Sequence, residues 1–167
     1  MTDKMHLAGV LETCLYAADL AAAEHFYGTV LGLEAFGRDS DRHVFFRCGA
    51  AMLLVFNPER TRRSPGEVGG VAVPAHGSIG AGHVAFRVSE VELQAWRYHL
   101  KKAGLAIEAD ISWPAGGRSV YVRDPADNSV ELASPSIWGL RDADAPRGAR
   151  GVPGIWTDVG AEDDIQP

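Results

Sequence analysis

Gly82-His83-Val84-Ala85-Phe86-Arg87-Val88-Ser89-Glu90-Val91-Glu92 is the stretch on which the fold is decided. Its first seven residues alternate. His83, Ala85 and Arg87 take one parity and Val84, Phe86 and Val88 the other, as in a strand with one buried face. Its last four residues have the form of a capping box, whose serine and glutamate satisfy free backbone donors at a helix start. The same sequence of events stands upstream. Residues 10–17 alternate, with Glu12, Cys14 and Tyr16 at one parity and Leu11, Thr13 and Leu15 at the other. Asp19 then occupies the N-cap position of a helix predicted over 20–30.

The spacing between the two copies is nearly constant. Glu12 to His83 is 71 residues, Asp19 to Ser89 is 70, and Gly32 to Gly104, the two helix stops, is 72. Three strand-like segments follow each helix: 33–38, 42–48 and 51–56 in the first copy, 106–111, 118–123 and 129–134 in the second. Turn residues separate them, among them Gly49 and the run Asp124-Pro125-Ala126-Asp127-Asn128. Pro58 and Pro135 close the two runs. The reading is an α+β fold of two paired β-α-β-β-β modules, at 8–58 and 81–136. A linker rich in Arg, Gly and Pro joins them over 59–80. The tail, 137–167, has the composition of an extended or mobile arm.

Composition narrows the class of function. The chain has 167 residues, 46% of them hydrophobic and 23% charged, which suits a globule. Its longest apolar runs fall far short of the ~20 residues of a membrane-spanning helix. The start of the chain, with Asp3, Lys4 and Glu12, lacks the pattern of a secretion signal. Two cysteines, Cys14 and Cys48, make no disulfide framework and fit a reducing cytoplasm. A net charge of -6 speaks against nucleic acid as the main partner.

The polar face of each first strand carries the chemistry: a carboxylate, Glu12, in one copy and an imidazole, His83, in the other. Glu131 adds a second carboxylate between apolar neighbours in the last strand. Matched positions in two repeats plus a third acid are what a three-ligand metal site with open positions requires.

These residues carry a family resemblance. Residues 11–33 with Asp19-Leu20, Phe26-Tyr27 and Leu31-Gly32-Leu33, then Gly82-His83-Val84-Ala85-Phe86, then residues 121–132 with Asp124-Pro125 and Val130-Glu131-Leu132, resemble the vicinal oxygen chelate superfamily. That superfamily groups glyoxalase I, extradiol dioxygenases, fosfomycin thiol transferases, methylmalonyl-CoA epimerase and bleomycin-binding proteins. The resemblance implies a cup-shaped, barrel-like sheet whose floor holds one divalent metal ion on Glu12, His83 and Glu131. The fourth family position falls on Leu54, which binds no metal. Glyoxalase I and the epimerase expect a ligand there, whereas the dioxygenases and fosfomycin enzymes have histidine in place of Glu12.

Two carboxylates and an imidazole suit Mn²⁺, Fe²⁺, Ni²⁺, Co²⁺ or Zn²⁺. The implied enzyme is a lyase, isomerase or transferase that stabilises an oxyanion or enediolate of a small oxygenated metabolite. Its rivals are an Fe²⁺ ring-cleavage dioxygenase and a metal-free drug-binding protein. Glu12 is a candidate general base. By the same resemblance Tyr121 is a substrate-contacting or catalytic tyrosine, or else a lining aromatic, and Ser119 shares its face. Cys14 is expected to face the cavity as a small buried thiol, Arg118 or Arg87 to meet an anionic group, and His76 to cap the mouth. Asp127 replaces a turn glycine and is expected to adopt the left-handed conformation. The family builds its cups within one chain or across a dimer, so a homodimer is expected, with Glu12 able to reach His83 and Glu131 of a second subunit.

Overall fold

The computed structural model describes residues 5–141 apart from Ser40 and Pro65. Most of the expected C-terminal arm lies outside the described residues. The first unit runs β1 (Glu12–Tyr16), α1 (Leu20–Glu24), β2 (Glu34–Asp39), β3 (His43–Cys48) and β4 (Ala51–Phe56). The second runs β7 (His83–Arg87), α3 (Leu93–Lys102), β8 (Ala109–Ser112), β9 (Arg118–Arg123) and β10 (Ser129–Ala133). Each forms a four-stranded sheet of one topology, β1-β4-β3-β2 and β7-β10-β9-β8, with the first and last strands of the unit parallel. The fold is the α+β pair of β-α-β-β-β units that the repeat implies. Its sheets are curved, and they do not close by hydrogen bonding into a barrel.

Local chemistry explains the departures from the expected elements. Asp19 caps α1 as its sequence position requires, accepting from Ala22 N at 2.9 Å. Beyond Glu24 the helix widens into π-helical turns over His25–Val30, and Leu31 N donates to Phe26 O. This widening lets the adjacent Phe26 and Tyr27 both point inward, at 3% and 0% exposure. Ser89 and Glu92 form the capping box, with Glu92 N donating to Ser89 Oγ at 3.3 Å and Ser89 N to Glu92 Oε2 at 3.1 Å. Regular helix nonetheless begins only at Leu93. Leu11 is exposed rather than packed beneath the helix, because β1 starts one residue later.

The joining segment has structure of its own. Asn57 caps α2 (Pro58–Arg63) through Glu59 N, and Pro58 occupies the first turn, where its missing N–H costs nothing. A two-stranded hairpin, β5 (Glu67–Val68) and β6 (Val71–Ala72), turns on Gly69 and Gly70. Their φ values of 59° and 81° are the left-handed pair that a tight hairpin turn demands.

One apolar core spans both units, from Leu15, Tyr27, Phe46 and Val55 to Leu93, Leu100, Val120 and Val130. A polar knot ties them. Tyr27, buried on the first unit's helix, donates its hydroxyl to Asp124 Oδ2 at 2.7 Å. Asp124 also accepts from Ala126 N, Asn128 N and Asn128 Nδ2. Asn128 Nδ2 reaches back to the Tyr16 carbonyl at 3.1 Å. Asp127 closes this turn at φ 65°, the left-handed conformation expected of it.

On the helix side of the second sheet, Arg97 grips Asp110 with two bonds of 2.6 and 2.8 Å. The hydrogen bonds from Arg97, followed by its charge, hold the Asp110 carboxyl below the usual carboxylate range. A lowered folded-state value stabilises the fold above the unfolded carboxylate's pKa, and that stability is lost as pH falls through the lowered value. Arg97→Gln should therefore lose about 0.5–1 kcal/mol at pH 7, discounted for exposure. The deficit should vanish in acid, as checked by urea unfolding at both pH values.

Candidate metal centre

The register of the second sheet brings four of the sequence candidates, His83, Ser119, Tyr121 and Glu131, to one face. Parallel pairing sets Ser129 opposite His83, and antiparallel pairing sets Tyr121 opposite Glu131 and Ser119 opposite Ala133. His83 Nε2 lies 3.3 Å from Glu131 Oε2. Glu131 is buried, and the His83 side chain is half exposed on the open face. Ser119 Oγ donates to Glu131 Oε1 at 2.5 Å, and Trp113 Nε1 donates to Ser119 Oγ at 2.9 Å. Trp113 thus holds the hydroxyl that holds the carboxylate. Nothing in the sequence marks this indole, which lies between two strands.

The second ring nitrogen of His83 fixes the chemistry of the pair. Nδ1 lies 3.1 Å from the Ser129 carbonyl oxygen. A carbonyl only accepts, so Nδ1 carries a proton. The neutral ring then turns an Nε2 lone pair towards the Glu131 carboxylate, and two acceptors at that distance repel. A proton, on the ring or on the carboxyl, or a metal ion between the two atoms relieves that repulsion. Ligand atoms ~2.1 Å from one metal stand about 3 Å apart when they meet it at right angles. The 3.3 Å separation therefore fits two adjacent metal ligands. Histidine ligands typically fix their orientation by donating the other ring N–H to a carbonyl or carboxylate, as Nδ1 does here.

Tyr121 lies beside this pair, its ring stacked at 6.3 Å from that of His83. Burial, with the neighbouring Glu131 carboxylate, pushes its phenol up to about 12. It is a hydrogen-bond donor at neutral pH. Arg118 is not brought into this group. It stands at the opposite parity of β9 from Ser119 and Tyr121, and its Nη2 reaches Asp110 Oδ1 at 3.4 Å.

Glu12 lies apart from His83 and Glu131 of its own chain. The end of β1 meets the start of β7: Asn128, which precedes β10, binds the Tyr16 carbonyl, and a Cβ on Gly82 would lie 2.9 Å from Leu15 Cδ2. Glu12 is at the far end of β1, roughly 13 Å from Tyr16 at ~3.3 Å per residue. Among the described residues, no three His, Cys, Asp or Glu side chains converge.

The first sheet instead offers an aromatic wall. Its Phe45–Leu54 pair occupies the register of Tyr121 and Glu131 in the second sheet. His43 stacks on Phe45 at 4.0 Å, and burial pushes its pKa down. Tyr16 Oη lies 2.9 Å from His76 Nδ1, so the linker histidine covers the end of this face. Cys14 is exposed, not buried as expected, because the sheet face it stands on is open. Desolvation and then the charge of Glu12 raise its thiol, which keeps it protonated and a poor nucleophile.

Paired β-α-β-β-β units with an imidazole–carboxylate pair on an open sheet face define a class of proteins built around a shared cup. The chain belongs to the Glyoxalase/Bleomycin resistance protein/Dioxygenase superfamily, whose family model matches residues 6–132. Among solved structures it is similar to a lactoylglutathione lyase from Agrobacterium tumefaciens, at 39% identity and a TM-score of 0.75 over 80% of this chain and 98% of that one. It also shares its fold with a glyoxalase/bleomycin resistance protein/dioxygenase from Nocardioides, at 23% identity and a TM-score of 0.62 over 79% and 86% of the two chains. A third relative by fold is an integron cassette protein from the mobile metagenome of a Halifax Harbour sewage outfall, at 20% identity and a TM-score of 0.61 over 77% and 99%. A search of curated proteins returns no match. No helix among the described residues is long and apolar enough to cross a membrane.

Proposed function

We propose that this protein is a divalent-metal-dependent lyase or isomerase acting on a small oxygenated metabolite, with its site shared between two subunits. The observation that carries the reading is the His83–Glu131 pair, in which a fixed Nδ1–H leaves Nε2 facing a carboxylate oxygen at 3.3 Å. The similarity to a lactoylglutathione lyase at 39% identity supports the reaction class. Glu12, the matched first-strand position, serves as third ligand from the second subunit of a homodimer, because within one chain it stands at the wrong end of β1.

His83 and Glu131 would hold the metal, and Ser119 with Trp113 fixes the Glu131 carboxylate. When bound, the metal supplies Lewis-acid polarisation of a substrate carbonyl. Tyr121, protonated at neutral pH, donates a hydrogen bond to a substrate oxygen where negative charge develops. Glu12, once free to move, takes a proton from the carbon beside that carbonyl as general base. The apolar wall of Phe45, Leu54 and Phe56 excludes water from the apolar part of the substrate.

Metal analysis of protein purified without chelator, with Glu131→Ala as control, tests the reading. About one divalent ion per chain, lost in the variant, is expected. Metal absent from both proteins would favour the metal-free binding module, and metal-stimulated oxygen uptake with catechols would favour the dioxygenase. Tyr121→Phe should keep its metal and lose roughly 100–1,000-fold in kcat towards the substrate, in assays of lactoylglutathione formation and breakdown.

A further inference from the structure

A cavity of about 340 Å³ opens in the seam between the two units, at the end away from the Gly82–Leu15 contact. Its walls are apolar: Leu31, Leu33 and Phe86 line it, with Trp96 from α3 and Leu132 from β10. Its size falls within the ~300–1,000 Å³ of small-molecule sites. Its lining contains no acidic side chain and a single cation, Arg87. Arg87 stands on the exposed parity of β7, and its Nη1 donates to the Arg141 carbonyl at 3.2 Å. That acceptor is neutral, and the planar fork has further N–H groups to offer. An apolar chamber with an arginine among its lining residues matches a molecule with an apolar body and an anionic head.

We infer that this seam cavity is a binding site for a small amphipathic carboxylate, its chain lodged between Leu33, Phe86 and Trp96 and its head on Arg87. The site is separate from the His83–Glu131 pair and does not depend on that pair holding metal. Both units line it, Cys48 and Ala50 from the first and Arg87 and Val88 from the second, so an occupant would also staple the two together.

Octanoate, octanol and octylamine, titrated calorimetrically into the purified protein, test the inference. Octanoate is expected to bind at about one site per chain, at least about tenfold more tightly than octanol, with octylamine weakest. Arg87→Gln should erase the preference for octanoate over octanol while leaving octanol binding unchanged. Ala50→Trp, on an exposed hairpin turn at the cavity, should abolish octanoate binding without changing metal content. Equal binding of octanoate and octanol to the wild type would overturn the inference. So would octanoate binding that survives Ala50→Trp but disappears in His83→Ala, since the carboxylate would then be bound at the metal centre. No octanoate binding at all, whether or not the chain self-associates, would also reject it.

Discussion

Glu131→Gln is expected to weaken metal binding by at least about 100-fold, since losing even an outer partner of a metal ligand typically costs ~10–100-fold. Glutamine keeps a side-chain oxygen that can accept from Ser119 Oγ, so the chain formed with Trp113 survives. What disappears is the charge, and with it the second strong donor facing His83 Nε2. Equilibrium dialysis against Zn²⁺ or Ni²⁺ measures the loss, and an unchanged melting temperature separates it from unfolding. Unaltered affinity would show that the ion, if bound, is held elsewhere. Ser119→Ala is the graded control. Its carboxylate keeps the charge but loses its orientation, so a loss within the ~10–100-fold range is expected.

The second large effect concerns stability. Asp124→Ala should destabilise the fold by at least about 4 kcal/mol, because it strips partners from the buried Tyr27 hydroxyl and Asn128 amide at roughly 1–3 kcal/mol each, and two backbone donors as well. In a chain of this size that corresponds to a melting temperature lower by about 8–16 °C. Burial first, and then the Asp124 charge, push the Tyr27 phenol far above its ordinary range. It remains a donor throughout the physiological range. Tyr27→Phe in the Asp124→Ala background should cost little more, since the two groups answer one another. A double-mutant cycle checks this, and strict additivity would contradict the coupling.

Much of this arrangement is legible in the residues themselves. The alternation of His83–Arg87 and the capping Ser89 and Glu92 recur upstream because both units pack an apolar strand face against a helix. The repeat therefore gives the order of elements along the chain and the buried face of each first strand. The family resemblance groups His83 with Glu131 and Ser119 with Tyr121, and the strand register puts all four on one sheet face. Alternation along β9 puts Arg118 on the other face, away from Ser119 and Tyr121. Sequence periodicity is silent on contacts made across the chain. Nothing local in Trp113 marks it as the donor to Ser119, and Asn128 reads as a turn residue although it spans the seam to Tyr16. The π-helical turns at His25–Val30 arise from a tertiary need to bury Phe26 and Tyr27 side by side. An i, i+3, i+4 pattern cannot express that. How the two units face one another governs where Glu12 points, and the length of a linker leaves this open.

Subunit mixing tests most directly whether one site draws ligands from two subunits. Glu12→Ala and Glu131→Ala proteins, each metal-poor alone, are unfolded together, refolded and analysed for bound divalent metal. Random pairing makes half of the dimers mixed. In each mixed dimer one of the two sites regains Glu12 from one chain and His83 with Glu131 from the other, so about a quarter of wild-type metal should return. No recovery, with mixed dimers demonstrated by native mass spectrometry, would contradict a shared site.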